Sequence, residues 1–233
     1  GRLEEALAAA ERAVQFDPRS NSAHHTRAFI LSQLGRFAES LAIYDDLIQR
    51  GVLFPSVWLN KSVALLGLTR DAETEATLLD GVRRWPQDQG LHNMLASMRW
   101  MRGGGEEFAR DYEAAVRREP SALGLRIGCA DLLRRADLHT RSEAILREGL
   151  QLAPGNGPLQ AALGVLLDEM GRLDEALPLL RGAVASAPNV AVLRGNLING
   201  LLRLGRGDEA LLEVLPLRAA LPLRGDWVCY ESM

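Results

Sequence analysis

The chain has 233 residues, 47% of them hydrophobic and 24% charged, with a formal net charge of −3. That balance describes a folded chain rather than a disordered one, and it gives no general attraction to nucleic acid or to anionic membranes. No apolar run reaches the ~20 residues of a membrane span, and two cysteines, Cys129 and Cys229, are too few for a disulfide framework or a structural metal site, which fits a reducing, cytoplasmic setting.

Taken from its start, the sequence opens on "GRLEEAL" and reaches Pro18 before a second segment begins. Related phrases return as "GRFAESL" from Gly35, "GRLDEAL" from Gly171 and "GRGDEAL" from Gly205, at starts that differ by multiples of 34. Pro86, Pro120, Pro154, Pro188 and Pro222 continue the beat of Pro18. The one missing proline falls at Val52, where Gly51 and Pro55 supply the break instead. Proline has no amide donor and disfavours helix in the residue before it, so the beat marks repeated helix ends. The expected organisation is a second helix of a truncated repeat (1–20), six units of 34 residues (21–224) and the start of a further helix (225–233). Since the chain begins at Gly1 without a methionine, its true N-terminus is expected to lie upstream, and the near-absence of lysine (Lys61 alone) points to a bacterial source.

Number each unit from 1 to 34 with its proline at 32. Small residues then recur at positions 8, 20 and 27 (Ala28, Ser40, Ala115, Ala176, Ala183) and larger ones at 11 and 24 (Leu31, Tyr44, Leu133, Leu180). Spacings of three and four draw one apolar stripe on each of two helices, and glycines at position 15 fit the turn between them. A helix pair of this kind buries its stripe only by stacking on its neighbours. The expected fold is therefore all-α, a solenoid of helix pairs without sheet.

The pattern resembles the tetratricopeptide repeat. Trp58 matches that family's position 4, Leu163-Gly164 its positions 7–8, Ala176 its position 20, Ala183 its position 27 and Pro188 its position 32. The resemblance implies antiparallel helices wound into a right-handed superhelix, with the first helix of each unit lining a concave groove that binds protein or peptide segments. At the groove positions stand Phe29, Asn60, Asn93, Met94, Trp100, Met101, Asp131, Arg134, Arg135, Asn196 and Asn199. The surface is apolar and amide-bearing through the third unit and charged beyond it. Asparagine amides both donate to and accept from a peptide backbone; Arg134 and Arg135 are candidates to hold a carboxylate of the ligand, or else to pair with Asp131 or Asp168. The carboxylate clamp of the chaperone-binding members is absent, because His25 and Phe29 occupy its first positions and only Asn60 fits. The asparagine ladder of the family's sugar transferase is interrupted, with Met94, Gly128 and Ala162 between Asn60 and Asn196.

Three departures stand out. Arg27 and Lys61 occupy a usually apolar position 7, where their stems pack and their charges reach water or a carboxylate. In the third unit Arg99 replaces the leucine of position 11, Phe108 replaces a small residue, and three glycines, Gly103 to Gly105, fill the turn. The ring of Phe108 is expected to take the space that Arg99 cannot fill.

No catalytic constellation emerges. His24, His25, His92 and His139 form neither a facial iron triad nor a zincin motif, and no phosphate loop is present. The reading is a non-catalytic scaffold without cofactor or metal, binding a protein or peptide partner. Two alternatives stand beside it: the recognition arm of a longer 2-oxoglutarate/iron oxygenase or sugar transferase, and a self-association module using Trp227, Val228 and Tyr230.

Overall fold

The computed structural model describes residues 1–103 and 105–220, with backbone alone at 105, 107, 108 and 216–220. The Phe108 side chain and the self-association residues Trp227, Val228 and Tyr230, with the whole expected element 225–233, lie outside the described residues. Thirteen helices and no strand occur among those described: α1 (Arg2–Phe16), α2 (Asn21–Gln33), α3 (Phe37–Gln49), α4 (Pro55–Gly67), α5 (Asp71–Arg84), α6 (Gln89–Met101), α7 (Gly105–Arg118), α8 (Leu123–Arg135), α9 (His139–Leu152), α10 (Gly157–Glu169), α11 (Leu173–Ser186), α12 (Ala191–Arg203) and α13 (Gly207–Ala220). The chain divides into two compact units, Gly1–Gly128 and the part from Cys129 onward. Each is an α-solenoid of helix pairs, even-numbered helices being the first of a pair and odd-numbered the second.

The recurring "GRxxE" phrase is a helix–turn–helix joint. In its first half the chain leaves a first helix through a residue at position 15 with positive φ: Gly35 at 76°, Gly171 at 76° and Gly205 at 69°. Two bonds close the turn, for example Gly35 N–H to Ser32 O (3.1 Å) and Arg36 N–H to Leu31 O (2.9 Å), so orphan carbonyls at the helix end are satisfied. The same pair recurs at Gly171 and Gly205. Next, the arginine at position 16 grips the glutamate three residues on through two oxygens: Arg36 to Glu39 (2.6 and 2.7 Å), Arg70 to Glu73 (2.6 and 2.6 Å) and Arg172 to Glu175 (2.7 and 2.8 Å). The clasp holds a carboxylate in the first helical turn, where the helix dipole favours it, and the arginine holds each of these carboxyls below its ordinary range. These pairs lie in solvent, so they orient the joint more than they stabilise it.

Where glycine is missing from position 15, the backbone does not change. Thr69 has φ 56° and Asp137 φ 58°, with the same two closing bonds. A β-branched threonine is poorly suited to this region, whereas aspartate tolerates it. Thr69→Gly is expected to raise the unfolding free energy by about 0.5–1 kcal/mol, the left-handed penalty less the extra entropy glycine loses on folding. Urea unfolding checks this, with Asp137→Gly expected to gain less; no gain at Thr69 would mean its turn is unstrained.

A second joint links each unit to the one before. The position-4 side chain, six residues after the proline, meets the proline carbonyl: His24 Nε2 and Pro18 O at 3.0 Å, His92 Nε2 and Pro86 O at 3.0 Å, Arg126 Nε and Pro120 O at 3.2 Å, Gln160 Nε2 and Pro154 O at 3.0 Å, Arg194 Nη2 and Pro188 O at 3.1 Å. Three residue types, each bringing a donor of the right reach, do one job. Trp58 is the exception that follows from the missing proline: with Val52 upstream, its indole N–H donates to Asp80 Oδ2 at 2.8 Å.

His92 is buried, stacked on Tyr112 at 5.2 Å, and its pKa lies below the ordinary 6.5. Burial is the main cause, the Arg118 charge adds to it, and the Pro86 bond and Asp88 oppose it. As pH falls through 6.5 the unfolded imidazole takes a proton before the folded one, so the stability it contributes is full above 6.5 and is lost as pH falls from there through the folded value. His92→Gln, which copies the residue Gln160 uses at the same position, is expected to keep the proline bond and flatten the loss of stability between pH 7 and 5. Thermal unfolding across that range checks it; the remaining slope belongs partly to His25, whose pKa burial also lowers.

Inside the pairs, small side chains carry cross-helix bonds. Ser40 Oγ donates to Ala28 O at 2.8 Å, and Ser142 Oγ to Ala130 O at 2.7 Å, joining position 20 to position 8 where the helices come closest. Lys61 reaches Asp45 at 2.7 Å and Arg27 lies 3.8 Å from Glu11, so both position-7 cations pack their stems and find carboxylates. Cys129 is buried at its core position.

Candidate protein-binding face

In residues 1–128 the first helices are α2, α4 and α6, with α4 packed against both others. Neighbouring first helices meet at an offset of 35 residues: His25 Nε2 lies 3.4 Å from Asn60 Nδ2. None of the three helices contains an aspartate or glutamate; the acidic residues of this unit sit on the second helices and in the turns. Arg27, Lys61 and Arg99 are ion-paired to carboxylates of second helices, so the first-helix face carries little free charge.

Its apolar character is concentrated in Phe29 (45% exposed), Trp100 (41%) and Met101 (75%). Met94, expected on the same face, is half-buried and packs against the core cluster that includes Trp58 and Leu91. The two asparagines are held from beneath. Asn93 Oδ1 accepts the Tyr112 hydroxyl at 2.7 Å, leaving the amide donors. Asn60 sits beside His25 and close to the buried Tyr44 hydroxyl, though outside hydrogen-bond geometry with it. Burial pushes the Tyr44 phenol well above its ordinary range, and Asn60 opposes that shift. Gly128 closes the row, because any Cβ there would lie 2.7 Å from Asn93 Oδ1 and 2.5 Å from the Tyr112 hydroxyl.

From Cys129 onward the corresponding positions are charged and mutually engaged. Arg134 donates to Asp131 at 2.8 Å and to Glu169 at 2.6 Å, again an offset of 35 residues, and both carboxylates raise its pKa. Arg135 meets Asp131 at 2.9 Å but keeps most of its surface in solvent (70% exposed). Asp168 is taken by Arg203 at 2.7 Å rather than by either of these arginines. Asn199 is exposed and Asn196 half-buried on α12. Of the charged groups expected to meet a ligand, Arg135 has its guanidinium most open, while Arg134 is bound on two sides. The proline-carbonyl donors escaped the sequence reading; their signal was a donor-bearing side chain six residues after each proline.

Among the described residues no three histidine, cysteine or carboxylate side chains converge as a metal site would require, and no helix is long and apolar enough to cross a membrane.

Stacked helix pairs with a 34-residue period, glycine-type turns and an open first-helix face define an α-solenoid of the repeat-scaffold class. Within it, a family model described as tetratricopeptide repeat matches residues 136–189. Human tetratricopeptide repeat protein 7B is 22% identical over 161 residues, covering 66% of this chain but only 19% of that protein, so the chain spans about a fifth of its relative's length. Among solved structures, a tetratricopeptide repeat protein from Parabacteroides merdae superposes with a TM-score of 0.56 at 10% identity, covering 87% of this chain and 80% of that one. A chain of the APC/C hetero-tetramer Cut9–Hcn1 gives 0.52 at 17% identity, covering 94% and 44%. Residues 136–189 thus resemble the tetratricopeptide repeat in sequence, and the chain as a whole is similar to such proteins in fold.

Proposed function

We propose that the chain is a non-catalytic scaffold whose first-helix face in residues 1–128 holds an extended segment of a partner protein. The observation that carries this is the pairing of three exposed large apolar side chains, Phe29, Trp100 and Met101, with first helices devoid of carboxylates. Aromatic and thioether surface gives adaptable apolar contact, and the amides of Asn60 and Asn93 address the main chain of the ligand. From Cys129 onward, Arg135 with Asn196 and Asn199 provides a second stretch suited to a ligand carboxylate, with Asp131 and Arg134 fixing its surroundings. The likeness to a chain of the Cut9–Hcn1 assembly fits a role in contacts between proteins. The test is a displayed 12-residue peptide library selected on the chain, followed by calorimetry of the recovered peptides. Trp100→Ala and Met101→Ala are each expected to weaken binding about tenfold, and Arg135→Glu to weaken peptides bearing an acid, less so at high salt. Peptides indifferent to both Trp100 and Met101 would overturn the assignment.

A further inference from the structure

Two departures from the repeat meet at one place in residues 1–128. Position 11 is leucine in the other units, and Leu31, Leu65, Leu133, Leu167 and Leu201 are at most 1% exposed. In the third unit it is Arg99, whose guanidinium turns outward to Glu75 (2.9 Å) and Asp111 (2.7 Å). At the junction of α5, α6 and α7 a cleft of about 210 Å³ lies open, its apolar wall formed by Leu79, Val82, Leu95 and the Tyr112 ring.

The second departure supplies a charge. At position 30, Arg50 and Arg84 are each held by a carboxylate one turn earlier, Asp46 at 2.6 Å and Asp80 at 2.7 Å. Arg118 occupies that position in the third unit, but the residue one turn earlier is Ala114. Arg118 lines the cleft; its Nε donates to Ala114 O at 3.3 Å, and no carboxylate pairs with it among the described residues. Arg99 and Arg118 thus both border the apolar hollow, the first with its charge already paired and the second without a carboxylate among the described residues.

We infer that this cleft, framed by α5 and α7 and separate from the first-helix face, is a docking point for a partner segment presenting a leucine-sized side chain beside a carboxylate. The side chain fills the hollow, and the carboxylate takes the Arg118 guanidinium. Small-molecule sites generally enclose about 300–1,000 Å³; a smaller, open cleft suits one anchoring side chain of a protein partner.

The probes are acetyl-Ala-Leu-Asp-Ala-amide, its Leu-Asn counterpart and free 4-methylpentanoate, titrated into the isotope-labelled 233-residue chain and followed by NMR. The aspartyl peptide is expected to shift the Tyr112 and His92 resonances and to bind about fivefold more tightly than the asparaginyl one. Arg118→Gln, an exposed change, should erase that preference. Arg99→Leu, which restores the leucine of the other units, should fill the cleft and abolish binding of both peptides. Equal binding of the two peptides to the unaltered chain, shifts that spare Tyr112 and His92, or binding that survives Arg99→Leu would overturn the inference. Tighter binding of 4-methylpentanoate than of the aspartyl peptide would overturn it too, because the cleft would then serve a free acid.

Discussion

Trp58→Ala is expected to lower the unfolding free energy of residues 1–128 by about 3–5 kcal/mol, the range for removing a buried aromatic ring. Trp58 is 3% exposed and stands edge-on to Trp85 at 5.0 Å. Arg84 lies over its ring at 5.2 Å and pairs with Asp80, the acceptor of the indole N–H. Burial works to raise the Asp80 pKa, but the bonds from Arg84 and Trp58 carry it below the ordinary value. Truncation therefore removes core volume, a ring contact and one donor to a carboxylate at once. Trp58→Phe should retain most of the packing and lose about 1 kcal/mol with the N–H bond. Denaturant unfolding followed by circular dichroism measures both, and a loss below ~1 kcal/mol for the alanine variant would show that the ring is not a core element.

Gly128→Ala is expected to destabilise by about 2 kcal/mol, against the ordinary preference of a helix for alanine. The new Cβ would lie 2.5 Å from the Tyr112 hydroxyl, 2.7 Å from Asn93 Oδ1 and 2.7 Å from Gln89 Cγ, so it must break the Tyr112–Asn93 bond or push the helices apart. Gly195, mid-helix in α12, is the control. Nothing lies within 4 Å of a Cβ there, and Gly195→Ala should stabilise by about 0.5–1 kcal/mol. The two variants make the same chemical change and should differ in sign. The same sign for both in urea unfolding would mean the contact at Gly128 relaxes freely.

The elements were legible because prolines and position-15 glycines are chemically distinctive and local; each ends or turns a helix by itself. Thr69 and Asp137 were not recognised as turn residues, since only the closing bonds around them force a positive φ. The donors to the proline carbonyls were hidden for a different reason: His24, Arg126 and Gln160 differ in chemical type and share only a donor of matching reach six residues after the proline, which a search for apolar period passes over. At the candidate face, Phe29, Trp100 and Met101 could be placed from helical position alone. The pairing of Arg134 and Arg135 with Asp131 was open to a reading of helical spacing, whereas Glu169, the second partner of Arg134, lies 35 residues away, and the partial burial of Met94 against the core cluster comes from packing between elements. Nothing in the composition marks the division at Gly128, which comes from packing alone.

The bond from position 4 back to the proline spans six residues, and the packing partners of each unit lie about one repeat away in sequence. No described contact of this kind asks distant parts of the chain to find each other. Each seam between units is thus written into a short stretch of sequence that travels with it. Copying or excising a block of 34 codons moves a complete seam, so the array can lengthen or shorten by whole units without redesign of the residues on either side. In such a chain the length of the first-helix face can change by whole repeats while the residues of each repeat stay as they are.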